Sequence, residues 1–265
     1  MRHNVFWLAA AWLISTSASA GADSGPAFRP HEIAGGLKGG YHVVVTDMNA
    51  DGRPDIVALA SGVPELLWFE NPTWERHVIG DGFSRMINLA AADVDGDRIP
   101  ELVVADLFEN DPAKSVGRVW LVESGGNPKG KWTAREIDRL STSHRIRTAR
   151  IHGSGKPPVF INAPLAGPNG SPPDYRDSIQ VVYYTPGKWQ RELLSFDLSG
   201  VLHGIFVTDW NGDGRDDLLT ANFEGIYLYQ TQAGGGWKKE KLSMGNPQPW
   251  PKGGASDVAV GKRGK

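Results

Sequence analysis

The feature that most constrains this chain is a nine-residue loop that recurs three times without gaps. The copies begin at Asp47, Asp93 and Asp209, and each has an oxygen-bearing side chain at loop positions 1, 3, 5 and 9. Apolar residues of the β-strand type, such as Ile56-Val57, follow each copy directly. Repetition in register at long spacing predicts a fold built from equivalent supersecondary units.

A fourth copy of the unit has lost its acidic side chains. Residues 148–160 align with the other copies, but Arg150, His152, Ser154 and Pro158 occupy the oxygen positions. The four loops start at residues 47, 93, 150 and 209, so the spacings are 46, 57 and 59 residues. Propeller repeats of about 40 to 50 residues with loop insertions have this spacing.

Each loop is followed by a second repeated piece, which contains an aromatic strand, a Gly/Pro or Gly/Asn turn and a strand opened by Trp. The four copies occupy residues 67–79, 119–137, 181–193 and 226–242. Each unit therefore predicts a four-stranded antiparallel blade, and the predicted fold class is an all-β β-propeller. We expect four complete blades plus the start of a fifth at 257–265, as in a truncated six- or seven-bladed ring. Residues 28–33 resemble the last strand of a blade and predict a piece that closes the ring.

Composition narrows the possible functions. The chain has 265 residues, no Cys and a formal net charge of −2, which excludes a disulfide scaffold, Cys-ligated metals and a Cys nucleophile. Near-neutrality argues against nucleic acid as the main partner. The loop ligand positions hold ten of the 30 carboxylates, so the remaining surface is mildly basic and favours an acidic glycan.

The N-terminus has the pattern of a secretory signal. Arg2 and His3 precede the apolar run 5–14, and Ala18-Ser19-Ala20 supplies small residues for cleavage. We expect residues 1–20 to be removed, residues 21–265 to form the propeller, and the mature protein to be secreted or periplasmic. The apolar run is too short to span a bilayer and no longer one follows, so no membrane span is predicted.

The acidic loops predict structural Ca²⁺, up to three ions. Alternating oxygen side chains converge where the backbone turns sharply, and a carbonyl at position 7 with a carboxylate at position 9 completes a shell that suits calcium. An EF-hand is excluded, because position 12 carries Ala58, Val104 or Thr220 in place of Glu. Solvated turns without an ion are the alternative, although the crowded carboxylates would then repel each other. The predicted ligands are Asp47, Asn49, Asp51, Arg53 (carbonyl), Asp55, Asp93, Asp95, Asp97, Ile99 (carbonyl), Glu101, Asp209, Asn211, Asp213, Arg215 (carbonyl) and Asp217.

The loop D-x-[DN]-x-D-G-x-x-D, followed by a strand such as Trp68-Phe69-Glu70-Asn71, resembles the FG-GAP/VCBS repeat family, whose blades also build the propeller of integrin α-subunits. The resemblance extends over about residues 28–265 and implies a calcium-binding propeller. It implies little about the partner, since the family includes adhesion and carbohydrate-associated modules, and similar propellers occur in sugar lyases and dehydratases.

Enzymatic candidates are confined to the starts of the first strands of the blades. Radial symmetry brings these starts together, where His, Tyr and Arg can abstract a proton beside a sugar carboxylate or carbonyl. The alternative is a set of polar, hydrogen-bonded channel residues. His42 precedes its loop by five residues but His144 and His203 precede theirs by six, so strand alternation predicts that the three do not point the same way. The candidates are Tyr41, His42, His144, Arg145 and His203.

The sequence thus predicts a secreted, calcium-binding β-propeller that serves as a binding or adhesion module for an extracellular glycan or protein. The alternative is a fragment of a propeller-type polysaccharide lyase or sugar dehydratase.

Overall fold

The computed structural model describes residues 28–261, and these residues form 16 β-strands. Internal contacts divide the chain into residues 1–32 and 33–265, and every strand belongs to the second unit. The predicted signal at 1–20 lies outside the described residues. Within 28–261 no helix has the length and apolar character needed to cross a membrane.

The strands form four sheets, which we number as blades in chain order. Blade 1 contains β1 (Gly40–Thr46), β2 (Asp55–Ala60), β3 (Leu66–Glu70) and β4 (Glu75–Gly80). Blade 2 contains β5 (Asn88–Ala92), β6 (Glu101–Asp106), β7 (Arg118–Glu123) and β8 (Thr133–Arg139). Blade 3 contains β9 (Ser143–Ala149), β10 (Val159–Pro164), β11 (Ser178–Tyr184) and β12 (Arg191–Ser199). Blade 4 contains β13 (Leu202–Thr208), β14 (Asp217–Asn222), β15 (Gly225–Thr231) and β16 (Trp237–Ser243).

Each blade is an antiparallel meander whose strands pair in chain order. The first strands of successive blades contact one another: β1 contacts β5, β5 contacts β9 and β9 contacts β13. Each nine-residue loop therefore connects the first strand of a blade to the second, as the repeat predicted. The predicted all-β architecture of four-stranded antiparallel blades is confirmed.

The second strand of every blade is almost completely buried. β6, β10 and β14 have no exposed residue, which explains their short continuous apolar runs such as Leu102-Val103-Val104. Such a run suits a strand covered on both faces. In blades 2 and 3 the two neighbouring blades provide this cover, and at the ends of the row residues such as Ile33 and Ala255 contact β2 and β14. The first interblade core joins Trp68 to Leu89, and the next two centre on Phe160 and on Ile161.

The two ends of the repeat differ from the sequence prediction. Residues 28–33 form no strand, so the predicted closing strand is wrong for this segment. Residues 257–261 also form no strand, and the described part of the chain contains four blades. The segment after β16 is held by irregular contacts instead, such as the hydrogen bond from Ala255 N to Asn222 O of 2.8 Å.

Candidate functional site

All four loops turn with the same backbone conformation. The residues at positions 4 and 6 have positive φ in every copy, including the loop at 150–158 that has no acidic ligands. Glycine adopts this conformation freely, whereas other residues adopt it at a cost of about 1–2 kcal/mol. At position 6, Arg98 has a φ of 72° and takes the place that glycine holds in the other three loops. The residues are Ala50 and Gly52, Gly96 and Arg98, Gly153 and Gly155, and Gly212 and Gly214.

The position 1 carboxylate closes each acidic loop. Asp47 accepts hydrogen bonds from the N–H groups of Asp51 (3.2 Å) and Gly52 (2.8 Å), so its oxygens lie inside the turn. Asp209 accepts the equivalent bonds from Asp213 and Gly214, and Asp93 accepts the N–H groups of Gly96 and Arg98. The side chain at position 5 accepts the N–H of position 7, as from Arg53 to Asp51 at 2.8 Å, from Ile99 to Asp97 at 2.7 Å and from Arg215 to Asp213 at 2.9 Å.

The position 9 carboxylates are buried, and Asp55 and Asp217 tie their loops to the rest of the blade. Asp55 accepts the N–H of Met48 at 3.0 Å and that of Asn71, in the turn between β3 and β4, at 2.8 Å. Asp217 does the same with Trp210 at 3.1 Å and Thr231 at 2.8 Å. These side chains therefore have a structural role that loop spacing alone did not indicate.

The loop of blade 2 brings three carboxylates together most closely. Asp93, Asp95 and Glu101 each offer an oxygen, and these oxygens lie within 4.8 Å of one another. Burial, together with the nearby Asp95 and Asp97 carboxylates, raises the pKa of Glu101 to about 7. Crowded acidic oxygens of this kind are the donors that a hard cation needs, so the residues fit a metal ion. Their assignment as ligands, like that of Asn49 and Asn211 in the other two loops, stays a prediction.

A second group that can hold a metal ion, Glu70, Glu75 and His77, lies on β3 and β4, and spacing in the sequence did not reveal it. Glu70 already binds Lys129 at 2.9 Å, His77 at 2.8 Å and Asn49 at 3.0 Å. The lysine and the amide both lower the pKa of Glu70. Because these partners satisfy its charge, Glu70 acts as a link between β4 and the first acidic loop.

β-Bulges explain how polar side chains from different blades meet. In β1, β9 and β13 one residue near the start of the strand is left out of the pairing with the second strand: Tyr41, His144 and His203. Each of the three precedes its nine-residue loop by six residues, so they are equivalent. The counterpart of His144 and His203 in β1 is therefore Tyr41 and not His42, which agrees with the expectation that the three histidines do not point the same way.

Tyr41, His144, Arg145 and His203 form one group, which we call the His–Arg cluster. The Tyr41 hydroxyl lies 3.3 Å from His144 Nε2, and Arg145 donates to the same nitrogen at 3.0 Å. Arg145 also donates to His203 Nε2 at 3.4 Å, and the two imidazole centroids are 5.1 Å apart. Four of the five enzymatic candidates therefore lie in mutual contact.

His144 is the buried centre of the cluster. It is 2% exposed and stacks on Phe108 with centroids 5.3 Å apart. Arginine has only donors, so Nε2 is the accepting nitrogen and Nδ1 carries the proton, although Nδ1 has no partner among the described residues. Burial, with the charges of Arg145, His203 and Arg147, lowers the pKa of His144 to about 2. The imidazole is therefore neutral at physiological pH.

This lowered pKa predicts a loss of stability in mild acid. Between pH 6.5 and 4.5 the unfolded chain protonates His144 and the native state does not, so acid favours unfolding. Two pH units correspond to about 2.7 kcal/mol. Urea unfolding at the two pH values should show that His144→Phe reduces the pH-dependent loss by about this amount. The exposed His152→Phe is the control, and an unchanged pH dependence in His144→Phe would contradict the prediction.

His203 is oriented by the segment that follows β16. Its Nδ1 lies 3.1 Å from the Ser256 carbonyl, which can only accept, so Nδ1 carries the proton and the lone pair of the neutral ring is on Nε2. Gly204 permits this approach, because a Cβ there would lie 2.7 Å from the Asp257 Cα. A histidine whose second nitrogen is held by a carbonyl has the arrangement of an oriented general base.

Sequence reasoning missed several residues around the cluster. Arg147 donates to Asn88 Oδ1 at 3.1 Å, and Asn88 also accepts the Ile146 N–H at 2.9 Å. His42 does not contact the cluster through a hydrogen bond in the described residues, but burial and the charges of Arg147 and Arg145 lower its pKa to about 4. The alternation of polar residues along β9 is the one signal in the sequence that could have indicated Arg147.

Comparison with known proteins identifies the repeat and the domain. A family model described as "FG-GAP-like repeat" matches residues 47–104, and one described as "Aldos-2-ulose dehydratase, beta-propeller domain" matches residues 116–263. The second match covers more than half of the chain, and it contains blade 3, blade 4 and the segment that touches His203. A search of curated proteins found no match.

Solved structures support the fold. A nidogen/laminin complex has 13% identity and a TM-score of 0.50 over 75% of this chain and 63% of the other. An Agrocybe aegerita lectin, described as recognising non-reducing terminal N-acetylglucosamine, has 15% identity and a TM-score of 0.51 over 75% of this chain and 51% of the other. The chain therefore spans less than two thirds of the length of either structure, and at these identities the likeness concerns the fold.

Proposed function

Because this chain belongs to the aldos-2-ulose dehydratase β-propeller domain family, we propose that its His–Arg cluster is a carbohydrate-binding site. The observation that carries the proposal is the convergence of Tyr41, His144 and His203 from equivalent bulges of three blades. Tyr41, Arg145 and His203 offer hydroxyl, guanidinium and imidazole groups, which hydrogen-bond the hydroxyl and carbonyl oxygens of a sugar, and the buried His144 holds Tyr41 and Arg145 in place.

The lectin among the structural neighbours has a similar fold and is described as recognising a sugar, and the identity of that sugar is a property of the lectin alone. Binding of a glycan outside the cell agrees with the signal-like residues 1–20, and we propose secretion or export to the periplasm on that basis. We also propose that Ca²⁺ occupies the acidic loops of blades 1, 2 and 4 and stabilises them. A protein partner remains an alternative for the same mature chain.

Dehydration of the bound sugar is the second candidate function, and the orientation of His203 favours it. In an aldos-2-ulose the hydrogen on C3 is acidic because C2 is a carbonyl. His203 Nε2 would take this proton, the electron pair would form an enolate at C2–C3, and Arg145 would donate to the enolate oxygen. The carbonyl then re-forms, a C3=C4 double bond appears, and the C4 hydroxyl leaves as water with a proton from Tyr41 or solvent.

We expect Arg145→Gln to weaken sugar binding by about tenfold or more, because a charged donor at the centre of the cluster is lost. Titration calorimetry with glucosone, the aldos-2-ulose related to glucose, measures this directly. Arg135→Gln is the control, since Arg135 is exposed on β8 and should leave the affinity unchanged. Equal affinities for both variants would contradict binding at the cluster.

The same samples distinguish binding from turnover. A rise in ultraviolet absorbance indicates the conjugated product, and its loss in His203→Ala with sugar affinity retained would assign proton transfer to His203. Tight binding without any absorbance change favours the binding module.

A further inference from the structure

The His–Arg cluster and Arg147 beside it carry positive charge without a matching carboxylate. Arg145 and Arg147 are both half-buried on β9, and neither forms an ion pair with any residue in 28–261. Their bonds go to neutral acceptors: Arg145 donates to the two imidazoles, and Arg147 donates to Asn88 Oδ1 and to the Ile146 carbonyl at 2.8 Å.

Arginines elsewhere in the protein show what a half-buried guanidinium ordinarily requires. Arg118 contacts Asp106 through two nitrogens, at 2.9 and 2.6 Å, and Asp106 is completely buried. The more exposed Arg191 contacts Asp138 in the same way, through two nitrogens at 2.8 and 2.6 Å. A charge removed from water is stabilised by an opposite charge, so the two arginines of β9 are exceptions within this fold.

The effect of the uncompensated charge is visible on its neighbours. Burial is the largest cause of the lowered pKa of His42, of His144 and of Arg147. The charges of Arg145 and Arg147 lower the pKa of the two histidines further, and the charge of Arg145 does the same for Arg147. The charge of Asp257, beside Ser256, opposes this effect on Arg147, but Asp257 is exposed and forms no ion pair with the residues that the structure describes. The fork of a guanidinium matches the two oxygens of a carboxylate or phosphate.

We propose that the sugar held at the His–Arg cluster carries an acidic group, which binds between Arg145 and Arg147. The inference rests on the proposed carbohydrate site and specifies the class of ligand that the site selects. It agrees with the mildly basic surface that remains when the loop carboxylates are set aside. It also names the residues at which an acidic glycan would bind.

The test compares one sugar with and without its charge. We would titrate the purified protein with trigalacturonate and with its fully methyl-esterified form, which keeps the ring and removes the anion. The acid should bind at least about tenfold more tightly at low salt, and added NaCl should weaken its binding much more than that of the ester. Glucose 6-phosphate against glucose tests whether phosphate serves as well as carboxylate.

Arg147→Gln should abolish most of the preference for the acid, and Arg147→Lys should restore part of it because charge returns without the fork. Arg135→Gln is again the control and should keep the full preference. If acid and ester bind equally and with equal salt dependence, this inference is wrong and the sugar site stands. If neither binds and glucosone also fails to bind, the proposed function is wrong as well. The salt series uses the unmodified chain, so the result does not depend on how the variants fold.

Discussion

Removing calcium should lower the melting temperature of this protein by about 5–10 °C for each acidic loop that holds an ion. An ion that binds only the native state, at a free concentration about 100 times Kd, contributes about 2.7 kcal/mol. In a domain of this size 1 kcal/mol changes the melting temperature by about 2–4 °C. The physical reason is that Asp93, Asp95 and Glu101 hold negative oxygens within 4.8 Å of one another, and a cation removes their repulsion. Calorimetry with and without a calcium chelator makes the measurement.

The variants of this experiment separate calcium from general ionic effects. Asp93→Ala should reduce the effect of the chelator, and a triple change to Ala at positions 47, 93 and 209 should remove it. Asp81→Ala, in the exposed turn after β4, is the matched acidic control. Chelator that has been saturated with calcium should have no effect. If the melting temperature of the unmodified protein is the same with and without chelator, the metal assignment is wrong.

The fold was predictable because its information is local and repeated. Each loop has residues with positive φ at positions 4 and 6, which make the chain turn sharply. The apolar strand that follows is short and continuous, so the sequence shows where the second strand of each blade begins and ends. The loop at 150–158 shows that the turn depends on these two positions, because Gly153 and Gly155 keep the positive φ angles although the acidic side chains are lost. Segments outside the repeat lacked such signals, and residues 28–33 resembled a strand without forming one.

The sequence predicted where the candidate site lies, but not how its side chains are arranged. The starts of the first strands were expected to meet, and Tyr41, His144, Arg145 and His203 do meet. A bulge shifts the register by one residue, and no residue type marked it in these three strands. Asn88 and the Ser256 carbonyl come from β5 and from the segment after β16, so their proximity depends on tertiary packing that no local pattern encodes, whereas the alternation along β9 could have indicated Arg147.

Replacing Asp55 with Ala should destabilise the protein by about 2–5 kcal/mol even when no calcium is present. Asp55 is fully buried and accepts the N–H groups of Met48 and Asn71, and each buried N–H left without a partner costs about 1–3 kcal/mol. The comparison is with Asp51→Ala in the same loop, because the Asp51 side chain is exposed and its bonds are within the loop. Urea unfolding in chelator should therefore show a large loss for Asp55→Ala and a small one for Asp51→Ala. In calcium both variants should lose stability, since both are predicted ligands. Equal losses for the two variants in chelator would show that Asp55 has no structural role apart from the metal, and the buried hydrogen bonds would then not account for the acidic residue at position 9.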